Sequence, residues 1–264
     1  MAPLLETSDL SVTFGGLHAL DDVSLTVEEG SFVGLIGPNG AGKTTFVDAI
    51  TGFVPYRGEV RFAERALVRA RPHRRAAAGL VRTFQSLELF DDLTVRENLL
   101  VSHEKPMWWS MFVDAVRPRS GLSDPDVNGA LELLDLTDVA DRMPTELPHG
   151  VRKLVGVGRA LAGDPRLLVL DEPAAGLDSE ESIELGERLK TLTEHGITIL
   201  MVDHDMALVL GVCDPIWVLD FGKVIGCGPP NAIQRDPAVV AAYLGEQGGS
   251  PADDPAPTTG TTPA

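Results

Sequence analysis

The chain is 264 residues long and 44% hydrophobic, enough for one large domain or two small ones with a proper buried core. Its 39 acidic side chains against 22 lysines and arginines give a formal charge of −17, which excludes the clustered basic surface that a nucleic-acid backbone requires. Two cysteines, Cys213 and Cys227, are too few for a disulfide scaffold or a zinc site and fit a reducing compartment. No uncharged run approaches the roughly 20 apolar residues of a membrane span, and Met1 to Asp9 lacks the basic flank and apolar stretch of a secretion signal. These features predict a soluble, cytoplasmic, globular protein.

In chain order, Leu10–Phe14 and Val23–Val27 read as short strands, the second in strict alternation. Ser31–Ile36 is a continuous apolar run, the pattern of a parallel strand buried on both faces, and a helical pattern follows over Lys43–Thr51. Seven arginines between Arg61 and Arg82 form a basic segment, read as a solvated charged face, with a face toward anionic lipid headgroups or acidic loops of a partner as the alternative. From about Thr94 to Ala162 the periodicity is helical with no clear strand, which predicts a helical subdomain inserted between two parts of the core. Within it, Pro106–Val113 contains Trp108 and Trp109; adjacent residues cannot share one narrow helix face, so partial exposure is expected. Leu167–Leu170 and Ile197–Val202 repeat the buried-strand pattern. Between them runs a helix, about Ser179 to Thr193, with apolar Ile183, Leu185, Leu189 and Leu192 among charges. Strands separated by helices predict an α/β fold with a parallel sheet. Gln247 to Ala264 has no large apolar residue and reads as a disordered tail, leaving 1–246 as the folded domain. Cys213 and Cys227 read as small packing residues.

Gly37-Pro38-Asn39-Gly40-Ala41-Gly42-Lys43-Thr44 matches G-x-x-x-x-G-K-[ST] and lies between a buried strand and a helix, the context the motif requires. Glycines let the backbone wrap a phosphate chain with its N–H groups pointing inward at the positive end of a helix. Lys43 then reaches the β- and γ-phosphates, Thr45 continues the first turn, and the Thr44 hydroxyl can ligate Mg²⁺. Leu167–Leu170 leads into Asp171-Glu172, two carboxylates at the end of a buried strand. One can hold the Mg²⁺ shell and the next can orient or deprotonate an attacking water. Alone, such a pair is more often a solvated turn; behind a phosphate loop it points to a nucleoside triphosphatase of the P-loop class.

Further residues carry a resemblance. Pro173-Ala174-Ala175-Gly176-Leu177-Asp178 is similar to the D-loop of ABC-type ATPases, and His204 after a buried strand resembles their switch histidine. Gln85 in Arg82-Thr83-Phe84-Gln85 resembles their Q-loop glutamine, and Phe14 stands where the family has an aromatic that stacks on adenine. The usual Leu-Ser-Gly-Gly-Gln signature is Leu147-Pro148-His149-Gly150-Val151 here, so only Leu147 and Gly150 match. The dipole and backbone N–H groups of the helix that follows would survive these substitutions, whereas a serine hydroxyl contact would not.

Within that family, Val81–Gln85, Leu93–Leu100, Asp171–Leu177 and the ending Asp236–Gly245 are similar to the ATP-binding subunits of branched-chain amino acid importers. The resemblance implies a P-loop ATPase core with an N-terminal antiparallel β subdomain and an inserted α-helical subdomain. It further implies that ATP lies against Phe14, Gly37, Pro38, Asn39, Gly40, Ala41, Gly42, Lys43, Thr44 and Thr45, with Mg²⁺ near Thr44, Gln85 and Asp171. Glu172, His204 and Gln85 would carry hydrolysis, while Gly150 and Asp178 complete the site of a neighbouring subunit. Implied partners are two membrane permeases, a second ATP-binding subunit (the same chain or a paralogue) and, indirectly, an external solute-binding protein. The subunit would sit peripherally on the cytoplasmic face of the membrane, with Trp108-Trp109 as a candidate permease contact. A urea or short-amide importer subunit and a non-transport ATPase such as a cofactor-assembly subunit are the alternatives.

Overall fold

Every residue of Phe32–Ile36 (β3) is buried, and so is every residue of Leu167–Asp171 (β7) and Thr198–Val202 (β8). The computed structural model describes residues 3–68, 70–83, 89–103 and 125–247, and within them these three strands lie side by side at the centre of a six-stranded sheet. Its order is β10-β9-β3-β8-β7-β6, with β6 at Leu80–Arg82, β9 at Ile216–Asp220 and β10 at Lys223–Gly228. Strands β6 to β9 pair in parallel, and β10 returns antiparallel on β9. A second, antiparallel sheet has the order β2-β1-β4-β5, formed by β1 (Leu5–Phe14), β2 (Leu17–Val27), β4 (Arg57–Phe62) and β5 (Arg65–Ala66).

Successive side chains of a strand face opposite ways, and here both faces are covered. Val33, Leu35, Val169, Leu200 and Val202 point toward α1 (Lys43–Thr51), whose Phe46, Val47 and Ile50 are fully buried, and toward the antiparallel sheet. Ile36, Leu168, Leu170, Ile199 and Met201 point into a second core shared with the remaining large helices. After α2 (Pro72–Ala77), these are α3 (Val95–His103), α4 (Pro125–Leu133), α5 (His149–Leu161), α6 (Ser179–Glu194) and α7 (Met206–Val212), followed by α8 (Pro230–Ile233) and α9 (Pro237–Gln247). Between about 94 and 162 the described residues hold α3, α4, α5 and two 3-10 turns and no strand, as the periodicity predicts. The Trp108-Trp109 stretch and residues 248–264 lie outside the described residues, and α9 runs one residue into the expected tail.

On α6, Ile183 is 57% exposed while Leu185, Leu189 and Leu192 are buried, because it lies off the stripe that faces the core. Two expectations are corrected. Cys213 is buried but Cys227 is exposed at the β10 edge, so only the first is a packing residue. The basic segment is not uniformly a solvated face: Arg75 is 2% exposed, and the Arg82 side chain is 11% exposed. Both arginines are drawn inward by oxygen acceptors, backbone carbonyls for Arg75 and carboxylates for Arg82.

Candidate nucleotide-binding site

Parallel pairing brings the carboxyl ends of β3, β8, β7 and β6 to one edge of the sheet, where ligands of open α/β sheets bind. The loop 37–42 leaves β3 and opens α1. Gly37 has φ 153° with Leu219 O 2.0 Å from where a Cβ would stand, and Gly42 has φ 105° with Ala19 O at 2.5 Å, so neither position admits a side chain. Pro38 is buried and Asn39 and Gly40 are exposed, which leaves the crest of the loop open. Behind it, Gly222 N donates to Ala41 O at 2.9 Å and Asp21 N donates to Gly222 O at 2.9 Å, so the β9–β10 turn and β2 brace the loop. The first turn of α1 holds no acidic residue, so its positive end is unopposed. The Lys43 ammonium turns back over the loop and donates to Gly37 O at 2.6 Å and Pro38 O at 2.9 Å. Thr44 is exposed and Thr45 half-buried on the same turn.

Asp171 ends β7 with a side chain 4% exposed. The next residue, Glu172, takes a left-handed φ of 50°, and its N–H donates to Val202 O at 2.7 Å. A non-glycine residue held there stores strain, and the β8 backbone is what holds it. Beyond β8, the buried Asp203 accepts from Ala174 N at 3.0 Å and from Asp205 N at 2.9 Å, tying the segment after Glu172 to the segment that carries His204. His204 itself is 64% exposed, with Nδ1 3.6 Å from Asp203 Oδ1.

Pro148 caps α5, so His149 and Gly150 occupy its first turn, which has no acidic residue. A Cβ on Gly150 would meet Glu181 Oε1 at 3.6 Å, and one on Gly176 would meet His149 Nε2 at 3.3 Å. The signature turn and the segment Pro173–Asp178 are therefore neighbours within one chain. Asp178 caps its own helix. Its Oδ1 accepts from Glu180 N and Glu181 N, both at 2.9 Å, while Asp178 N donates to Glu181 Oε2 at 3.2 Å, a capping box for α6. Phe14, 48% exposed, ends β1 in a hairpin whose second strand contacts the phosphate loop at Ala19 and Leu20. Gln85 lies outside the described residues.

The profile of the ABC transporter family matches residues 20–175. The chain belongs to the ABC transporter family. A profile of branched-chain amino acid ATP-binding cassette transporters matches residues 223–248 as well. The chain is 40% identical over 251 residues to the high-affinity branched-chain amino acid transport ATP-binding protein LivG of Salmonella typhimurium, covering 92% of this chain and 98% of the relative. It is 38% identical, over the same shares, to BraF of Pseudomonas aeruginosa, which bears the same description. Among solved structures, the ADP conformation of an ATP-binding cassette of an ABC transporter superposes with a TM-score of 0.82 at 34% identity, covering 93% of this chain and 100% of that one.

An ABC cassette binds ATP or ADP, and the loop around Lys43 has the closed glycine positions, open crest and unopposed helix end that a polyphosphate needs. Among the described residues, no group of three or more His, Cys, Asp and Glu could hold a metal by itself. In a phosphate site, one or two carboxylates hold Mg²⁺ together with the substrate. Asp171 and the Thr44 hydroxyl fit that donor set. Three charged groups stand at this edge that the motifs do not single out: Arg82, Asp203 and Lys153. Burial holds the Lys153 ammonium below the usual lysine range, against the pull of the Asp203 and Glu172 carboxylates. A legible signal existed for Lys153, since it falls beside the apolar stripe Leu154, Val157, Gly158 and Leu161 of α5.

Proposed function

We propose that this ABC protein is the ATP-hydrolysing subunit of an importer that moves branched-chain amino acids through separate membrane permeases. The observation that carries hydrolysis is the placing of the Lys43 loop and of Asp171 and Glu172 at the carboxyl ends of β3 and β7, the two strands that flank β8. Residues Gly37 to Thr45 hold the phosphates, and Phe14 stacks on the adenine. Thr44, Asp171 and Gln85 would hold Mg²⁺, which would supply neutralisation of phosphate charge. Glu172 accepts a proton from the attacking water as the new bond to the γ-phosphorus forms and the bond to the β-phosphate oxygen breaks. His204 orients the γ-phosphate. Gly150 and Asp178 complete the site of a second ATP-binding subunit, a copy or a paralogue, and closure of the pair drives the permeases.

The cargo assignment is supported by the names of relatives aligned over 92% of the chain. Among the described residues no helix is long and apolar enough to cross a membrane, which agrees with a peripheral subunit on the cytoplasmic face that relies on two permeases and an external solute-binding protein. Residues 1–246 serve as one ATPase domain with the helical part, about 94–162, toward the permease. The test is uptake of labelled leucine, isoleucine, valine and urea in cells carrying the intact protein or Glu172→Gln. Loss of branched-chain uptake alone is the expected result. Loss of urea uptake alone would reassign the cargo to a short amide. Unchanged uptake of all four, with ATP hydrolysis abolished, would count against this import role.

A further inference from the structure

Arg82 ends β6, next to β7, and its guanidinium reaches two carboxylates at once. Nη2 donates to Asp171 Oδ2 at 2.6 Å, and Nη1 donates to Asp48 Oδ1 on α1, the helix that the phosphate loop opens. The guanidinium lies over the Phe53 ring, with Cζ 6.0 Å from its centre. Side-chain exposure is 11% for Arg82, 4% for Asp171 and 29% for Asp48. The Arg82–Asp171 pair is thus largely removed from water, and Asp48, the third group, touches solvent.

The charges matter more than the staple. An arginine is charged at every accessible pH and grips carboxylate oxygens in fixed directions. Beside Asp171 alone it would cancel the negative charge that a cation needs. Asp48 supplies the compensation: one guanidinium and two carboxylates sum to a single net negative charge, the value Asp171 would carry by itself. We propose that Arg82 is a positioning residue that locks Asp171 through Oδ2, leaves Oδ1 for Mg²⁺, and owes its neutrality toward the ion to Asp48. This inference rests on the reading of Asp171 as a Mg²⁺ ligand, and it extends the metal site to α1 and to the strand that leads toward Gln85.

The experiment is a Mn²⁺ titration by electron paramagnetic resonance on the full chain with a non-hydrolysable ATP analogue. The variants are Asp171→Asn, Arg82→Gln, Arg82→Lys and Asp48→Asn, with nucleotide affinity in excess chelator measured alongside. Arg82→Gln should weaken Mn²⁺ binding about tenfold, the size of effect of removing an outer-shell partner, with chelator-condition affinity unchanged within about twofold. Asp48→Asn should weaken it about threefold, because an uncompensated guanidinium then opposes the ion. Arg82→Lys should fall between wild type and Arg82→Gln, since an ammonium cannot fork both carboxylates. If Arg82→Gln fails to fold, Asp48→Asn decides alone, for Asp48 is partly exposed on a helix. Wild-type Mn²⁺ affinity in Arg82→Gln and Asp48→Asn, with binding lost in Asp171→Asn, would overturn the inference and leave the Asp171 assignment standing. Undiminished binding in Asp171→Asn would remove that assignment and the inference with it.

Discussion

The guanidinium of Arg75 donates at 2.9 Å to Ala49 O and at 2.7 Å to Ile50 O, carbonyls at the end of α1. It also bonds Ala70 O, Leu67 O and the Tyr56 hydroxyl, so one side chain closes the helix and the turn that follows it. The last carbonyls of a helix lack helical partners, and a cation there also complements the dipole. Arg75→Met should therefore cost about 3 kcal/mol, because buried carbonyls lose their donors. For a chain of this size that corresponds to a fall in Tm of about 6–12 °C, measurable by calorimetry. The sequence places Arg75 in a basic segment indistinguishable from a solvated one. Two of the acceptors that pull it inward, Ile50 O and Ala49 O, lie 25 and 26 residues away along the chain, beyond the reach of any local pattern.

At the scale of elements, two capping boxes can be tested separately. Before α3, Thr94 N donates to Glu97 Oε2 at 2.8 Å, and the Thr94 hydroxyl donates to the same oxygen at 2.9 Å. These bonds, the backbone one first, hold the Glu97 carboxyl below its ordinary 4.5. A carboxyl with a depressed folded-state pKa binds fewer protons than in the unfolded chain. Its contribution is thus complete above the unfolded pKa and lost as pH falls through the folded one. Below about pH 4.5, wild-type stability should fall more steeply than that of Glu97→Gln, as denaturant titrations at stepped pH would show. For α6, Asp178→Ala should cost about 1 kcal/mol and Asp178→Asn much less, because asparagine also caps. If Asp178 also serves a neighbouring subunit, Asp178→Asn should keep its Tm yet lose ATP-dependent dimerisation in light scattering. Elements differ in how far local sequence foretells them. The continuous apolar runs of β3, β7 and β8 are legible because burial on both faces leaves no polar position. Strands β6 and β10 are not: three residues are too short for a period, and Gly226 and Gly228 interrupt the other.

For the whole molecule, ligand linkage gives the broadest test. Saturation with Mg-nucleotide at about 100 times Kd should stabilise the fold by about 2.7 kcal/mol, raising Tm by about 5–11 °C. Lys43→Ala should abolish that rise and also lower the unliganded Tm by about 2–4 °C, the effect of about 1 kcal/mol, because Gly37 O and Pro38 O lose their donor, as read by thermal scans with and without nucleotide. The sequence by itself determined the phosphate loop, the acidic strand end, the α/β class and the helical insertion. Each rests on contiguous residues or a local period, and steric rules bind such patterns to one backbone. What only the tertiary structure decided is the company those residues keep. Arg82 meets Asp171 across 89 residues, and Asp203 reaches back 29 residues to the backbone of Ala174. Parallel strand pairing sets both, through long-range contacts whose partners leave no periodic mark on the chain.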